Sequence, residues 1–308
     1  MALYGAVREI AWLRQLLEGI GVPPNKPSLQ QERQHQHQHP QRDARLAHLC
    51  VFGTSLPSDT VVALHKFMMK YINYPHVEFE GSLGMICRDQ ARLNIGVMGT
   101  TPIKHDCFPG TSFVSGIQGM QFKRLNEELN KWASAVQGGP VSLSYTRTRE
   151  IDHFHADRVR VSVDTQTKKP LRAVRKQRIE SLDIHVPSCQ YDVRLSASSE
   201  QPCGFPTTDC TMVRVKDRIS YTFSIWSLDI TSIQSHRVSN GVQDEKSSTT
   251  HELELEIADT ALIVQLASDG RHGELLEICN AWLNNLYMLS KTCNSPSPQH
   301  IKKRPRNG

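Results

Sequence analysis

HELELEIAD, residues 251–259, sets Glu252, Glu254 and Glu256 on alternate positions, with Leu253, Leu255 and Ile257 between and after them. In a β-strand successive side chains point to opposite faces, so the carboxylates share one face and the aliphatic residues the other. Two strand rises separate neighbouring like-facing residues by about 7 Å. Three like charges on a wetted face need no compensation, whereas the same three in an enclosed space need a cation. The other strands decide which situation applies.

Seven further segments have strand character: 76–86, 140–152, 158–165, 173–186, 191–200, 212–223 and 224–233. Their hairpin-like spacing predicts antiparallel pairing. Their parity repeats the theme of the opening stretch. RVRVSVD places Arg158, Arg160, Ser162 and Asp164 on one side and valines on the other. VRVKDRIS groups Arg214, Lys216, Arg218 and Ser220. YDVRLSASSE groups Asp192, Arg194, Ser196, Ser198 and Glu200, and LDIT sets Asp229 and Thr231 opposite Leu228 and Ile230. HVEFE sets Glu78 and Glu80 opposite Val77 and Phe79. Two arrangements produce such strands. One is a sheet with a core face and a solvated face. The other is a closed barrel with a polar lumen and an apolar exterior under helices. Acidic strands (78/80 and 252/254/256) and basic strands (158/160 and 214/216/218) are segregated here, whereas solvated surfaces usually intersperse the signs.

Periodicity of 3.6 predicts helices at 3–20, 61–73, 117–137 and 273–291. Ser58 and Asp59 form an N-cap signal for the second, whose apolar stripe is Val61, Leu64, Met68 and Tyr71. The first carries Arg8, Glu9 and Arg14, which exclude a secretory core or a membrane span. PPNKPSLQQERQHQHQHPQRD lacks apolar periodicity and reads as a disordered linker; its His35, His37 and His39 fit low-complexity filler better than a metal site. These readings divide the chain into a helix at 1–22, a linker at 23–48, a folded domain at 49–293 and a basic tail at 294–308. The 308 residues carry a net charge of +5, compatible with a polyanionic partner. Eight cysteines show no zinc spacing and, with no signal peptide, read as the reduced thiols of an intracellular protein. No membrane association is expected.

The order VEFE…LG, RVSVD, YDVRLS…E, RVKDRISY, LDIT and HELELEI resembles the fungal RNA 5′-triphosphatases. These are the β subunits of the mRNA-capping enzyme, within the triphosphate tunnel metalloenzyme family. The match spans residues 54–260, and FVSGIQGMQFKRLNEELNKW resembles the family's helical segment after its first glutamate strand. The resemblance implies a mainly β fold with packed helices: a closed eight-stranded antiparallel barrel with a charged lumen. It implies Glu78, Glu80 and Glu256 as ligands of Mg²⁺ or Mn²⁺, a hard cation suited to carboxylate oxygens. It implies Arg160, Lys216 and Arg218 as holders of the terminal phosphate, with Lys176 a further base. Asp152, Glu200, Asp229, Glu252 and Glu254 match acids that orient the attacking water or fix the bases, and Thr231 supports Asp229. Arg160 is expected to pair with Glu252 or Glu254 while it holds phosphate.

The implied activity is hydrolysis of the γ-phosphate of 5′-triphosphate RNA, in the nucleus, as the first step of capping. The implied partners are the 5′-triphosphate end of nascent mRNA, an mRNA guanylyltransferase (the capping enzyme α subunit) and a second copy in a homodimer. No docking segment for the guanylyltransferase stands out beyond the N-terminal helix with Trp12. IKKRPRNG, with Lys302, Lys303, Arg304 and Arg306, reads as a nuclear-import signal or as a tail that touches RNA phosphate. The chain departs from the family pattern at three places. Ser82 stands where a lysine is usual, Ser198 near a usual amide and Ser227 near a usual arginine. These departures leave two readings: an enzyme with fewer phosphate contacts, or a tunnel protein that serves as scaffold or triphosphate-binding module.

Overall fold

The computed structural model describes residues 57–136, 142–239, 241–244 and 247–294. The expected helix at 1–22, the linker at 23–48 and residues 295–308 of the tail lie outside the described residues. In chain order the elements are α1 (Asp59–Tyr71), β1 (Val77–Arg88), β2 (Ala91–Arg92), β3 (Thr101–Ile103) and β4 (Ser112–Ser115). Then come α2 (Gly119–Val136), β5 (Leu143–His155), β6 (Val159–Asp164), β7 (Pro170–His185), β8 (Asp192–Pro202) and β9 (Cys210–Phe223). The last are β10 (Trp226–Ser239), β11 (Val242–Gln243), β12 (Ser248–Ile257), α3 (Thr260–Ser268) and α4 (His272–Asn294).

Eight long strands pair antiparallel in the order β10, β12, β1, β8, β7, β6, β5, β9, and β9 pairs back onto β10. That last ladder closes the sheet into a barrel and removes its free edges. β12 and β6 stand four steps apart by either route around this ring, so their inner faces oppose each other. All eight strands match the segments predicted from alternation. The short β2, β3, β4 and β11 were not anticipated. Each is two to four residues long and exists because a longer strand offers a ladder. α3 was also missed, although its signal is local: Asp259 caps it by accepting a hydrogen bond from the Leu262 amide at 3.0 Å.

The apolar core lies outside the barrel. Phe79, Leu83, Leu195, Ile230, Leu253 and Leu255 point away from the lumen and are almost wholly buried under the helices. α4 covers β1 and β12, where buried Trp282 donates its indole N–H to the Leu255 carbonyl at 3.1 Å. Gly81 makes that contact close. A Cβ there would stand 2.6 Å from Leu286 Cδ1 and 3.0 Å from Trp282 Nε1. α2 covers β9, with Trp132 edge-on to Phe223 at 5.0 Å and the Tyr221 hydroxyl donating to Asn130 Oδ1 at 2.8 Å. α1 buries Val61, Leu64, Phe67 and Met68; Tyr71, expected on the stripe, is only partly covered. No described helix is long and apolar enough to cross a membrane.

A bulge between Arg178 and Glu180 reverses the parity of β7. Before it Lys176 faces inward, in register with Glu200; after it Ser181 and Asp183 do, opposite Ser196 and Arg194. The second half builds a buried polar network beyond the cavity. Arg194 grips Asp183 at 2.6 and 2.7 Å and stacks on Phe113, and His105 Nε2 reaches Asp183 at 2.8 Å. Fully buried Asp192 accepts from Arg92 and from the backbone amides of Ile86 and Val186, and its other neighbour is His185. Overpacking the wall at Gly81 should disturb the barrel from outside. Gly81→Val is expected to remove about 1–3 kcal/mol of stability, read as a lower urea midpoint; an unchanged midpoint would mean that α4 yields instead.

Candidate active site

Alternation turns one face of every long strand into the lumen, and the lumen holds a cavity of about 180 Å³. Each sequence-predicted site residue lines it: Glu78, Glu80, Asp152, Arg160, Lys176, Glu200, Lys216, Arg218, Asp229, Glu252, Glu254 and Glu256. Thr231 joins them. Four lining residues carried no assigned role at the sequence level: Phe154, Arg172, Arg214 and Ile233. Arg214 shares its face with Lys216 and Arg218, so parity alone could have found it. Arg158 was expected on the basic face, but it sits exposed in the turn before β6 at φ +65°.

The charges divide the lumen into two walls. β1 and β12 present five carboxylates, with Glu80 in register with Glu256 and Ser82 with Glu254. The opposite wall, on β5, β6 and β9, presents Arg160, Arg214, Lys216 and Arg218 among fewer acids. Most bases are already paired. Arg160 Nη2 contacts Glu200 Oε1 at 2.8 Å, and Arg218 contacts Asp229 at 3.0 Å and Glu254 at 4.0 Å. The expected pairing of Arg160 with Glu252 or Glu254 is therefore corrected. β6 lies diametrically opposite β12, and β8 offers a carboxylate two strands away. Arg214 has no carboxylate partner among the described residues; its guanidinium lies 5.3 Å from the Phe154 ring centre. Three polar atoms in the cavity, Arg160 Nε, Arg214 Nε and Asp229 Oδ1, are buried without a hydrogen-bond partner.

The tightest pair is Lys216 with Asp152, 2.6 Å apart, with side chains 7% and 2% exposed. Ser162 donates to the other Asp152 oxygen at 2.7 Å. Burial alone would raise the Asp152 pKa. Lys216, then Ser162 and Arg160, outweigh it and hold the carboxyl below its ordinary value. Burial pulls the Lys216 pKa down, and Arg218 and Arg160 add to that against Asp152.

The acidic wall is under-compensated. Burial, then Glu80 and Glu252, push Glu254 up to about 8 against Arg218 and Lys176. Although 30% of the Glu254 side chain is exposed, the exposed part faces the cavity, so burial still dominates. Burial and Glu78, with Asp229 and Glu80, push Glu256 up to about 7 against Lys176. An all-oxygen, excess-negative wall fits a hard divalent cation. No three acidic, histidine or cysteine side chains converge at ligand spacing among the described residues. The Lys176 ammonium stands among the acids instead, 3.1 Å from Glu78, 3.2 Å from Glu80 and 3.7 Å from Glu200. Burial disfavours its charge, but Glu80, Glu78, Glu254 and Glu200 hold its pKa above the usual lysine value.

The three serine departures border this wall. Ser198 is in register with Glu78, Ser227 with Glu256, and Ser82 with Glu254. β1 keeps its parity at Gly81, which meets α4, so Ser82 faces the lumen side with Glu78 and Glu80.

The sequence model of the family described as "mRNA capping enzyme, beta chain" matches residues 56–295. The mRNA-capping enzyme subunit beta of Cryptococcus neoformans is 33% identical over 234 residues, 71% of this chain and 58% of that protein. The chain thus spans little more than half of that relative's length. The mRNA-capping enzyme subunit beta of Schizosaccharomyces pombe is 29% identical over 250 residues, 76% of this chain and 81% of that protein. The solved structure of S. pombe Pct1 RNA triphosphatase superposes with a TM-score of 0.71 at 26% identity, over 79% of this chain and 97% of that one.

The buried pair gives a pH-dependent prediction. Asp152→Asn leaves the buried Lys216 ammonium with only Glu150, 4.0 Å away, as counter-charge, at a cost of about 3 kcal/mol near neutral pH. Because the folded pKa of Asp152 lies below its unfolded value, the wild-type advantage is complete above about pH 4 and lost as pH falls through the folded value. Urea titrations of both proteins between pH 7 and pH 3 check this. A gap that does not narrow in acid would mean the cost is not electrostatic.

Proposed function

The chain belongs to the family of mRNA capping enzyme β chains, and from that footing we propose that it is a divalent-cation-dependent RNA 5′-triphosphatase. Its substrate is the 5′-triphosphate end of RNA, cut between the β- and γ-phosphates to leave a 5′-diphosphate end and phosphate. The observation that carries this reading is the closed lumen with an acidic wall on β1 and β12 opposite a basic wall on β5, β6 and β9. A triphosphate is a chain of negative charge. It needs bases on one side and, facing carboxylates, a cation on the other.

In this reading Glu78, Glu80 and Glu256 would hold Mg²⁺ or Mn²⁺, and the cation would supply charge neutralisation at the γ-phosphate. Arg160, Lys216 and Arg218 hold the equatorial oxygens of the transferring phosphoryl group, with positioning as the main contribution. Their paired acids fix them in advance: Glu200 for Arg160, Asp152 for Lys216 and Asp229 for Arg218. Arg214, unpaired and lining the cavity, adds a fourth phosphate contact. Glu252 and Glu254 orient the attacking water. The 5′-diphosphate product suits an mRNA guanylyltransferase as the next enzyme, acting in the nucleus.

The test is release of labelled phosphate from γ-labelled 5′-triphosphate RNA, with and without millimolar Mg²⁺ or Mn²⁺. Release is expected only with the cation. Glu256→Gln, which removes one ligand charge, should lower the rate on the order of a hundredfold or more, as loss of several kcal/mol of charge stabilisation requires. Retained activity in that variant would sink the assignment of the acidic wall.

The serines bordering the acids support a second reading, a tunnel that binds but turns over slowly. A lysine at position 82 would reach Glu254 and the phosphates as a flexible point charge. Ser82→Lys is therefore expected to raise kcat/KM roughly tenfold, as one added charged hydrogen bond allows. An active enzyme that gains nothing would show that Lys176 already fills the place. Inertness of both proteins with cation and triphosphate RNA would favour the scaffold.

A further inference from the structure

Lys176 is the ammonium that reaches furthest into the acidic wall. It rises from β7, crosses the inner face of β8 and ends between Glu78 and Glu80 of β1, with Glu200 of β8 beside it. Its three N–H donors have three carboxylates within reach. A divalent cation shared by Glu78, Glu80 and Glu256 needs their oxygens at about 2.0–2.6 Å. It would occupy the space where Nζ now lies about 3 Å from two of them, so the two cations exclude each other by volume and by charge. The other bases do not compete in this way. Arg160 is tied to Glu200, Lys216 to Asp152 and Arg218 to Asp229. Lys176 has room to withdraw, because its side chain is 33% exposed on a flexible stem and faces the cavity.

We infer that Lys176 is a resident counter-ion of the acidic wall, which a divalent cation must displace, and that the released ammonium then serves the phosphates of the substrate. This inference rests on the cation-dependent reading given above. It gives the enzyme an order of events: the lysine turns to the substrate only after the cation has arrived.

The decisive measurement is Mn²⁺ binding by calorimetry to the chelator-stripped full chain, without substrate. Lys176→Gln should bind Mn²⁺ about tenfold tighter or more, a small part of what an ammonium at this distance from carboxylates contributes. Lys176→Arg keeps the charge and should bind much as the wild type does. The same Gln variant should lose kcat/KM on triphosphate RNA, so affinity for the cation and turnover move in opposite directions. A merely structural bridge would lower the melting temperature of Lys176→Gln without tightening Mn²⁺, and that outcome overturns the exchange. If folded wild type binds no Mn²⁺, the cation-dependent reading falls first and the exchange with it. If Lys176→Gln does not fold, the wild type decides through amine acylation followed by mass spectrometry. Labelling of Lys176 should rise when Mn²⁺ is added; unchanged or reduced labelling overturns the exchange.

Discussion

Like charges enclosed together set the terms for this fold. Five carboxylates on β1 and β12 face the same lumen, and two of them are pushed up to about 7 and about 8 by burial and by their neighbours. An open sheet would let water screen them. The β9–β10 ladder denies that by closing the ring, and closure places β6 directly across from β12. The attraction between the walls is then directed through the cavity. Arg160, Lys216 and Arg218 are each held back by a neighbouring acid, so they are positioned without being neutralised by the opposite wall.

The inverted layering follows from the same constraint. With charge inside, the apolar residues of the strands must be covered from outside, and the helices do this for β1, β8, β9 and β12, while Val159, Val161 and Ala173 of β6 and β7 cluster with Cys203. Trp282 and Leu286 of α4 meet the glycine of β1, and Trp132 of α2 meets Phe223. The helices are the outer half of the core, and strand positions such as Phe79 and Leu255 are its inner half. Small changes under α4 therefore act on the strands that carry Glu80 and Glu256.

Much of this was legible in the sequence because strand alternation is rigid. HELELEI and VEFE declared which side chains share a face, and the segregation of acidic from basic strands spoke against an ordinary solvated face. What alternation cannot give is the distance between strands far apart in the chain. The partner of Arg160 was misplaced for that reason, since only the ring order shows Glu200 to be near and Glu254 to be across the lumen. The bulge in β7 hid the Asp183–Arg194 network, because one inserted residue reverses every later parity in the strand. Arg214 was visible on its face, yet its lack of a carboxylate partner is a three-dimensional fact.

The way α4 sits on β1 also bears on how the molecule comes to exist. β1 is the first long strand among the described residues, and its ladder partners β8 and β12 come from the middle and the far end of the described chain. Its outer cover, α4, is the last described helix to be synthesised. Until it emerges, Phe79 and Leu83 lack their outer cover. Such contacts are remote in sequence, and loop closure must precede any gain from them, so assembly is slow and late. The tunnel thus forms only after α4 has been made, and a ribosome-bound fragment that stops short of α4 presents a greasy, acidic strand to chaperones instead of a site.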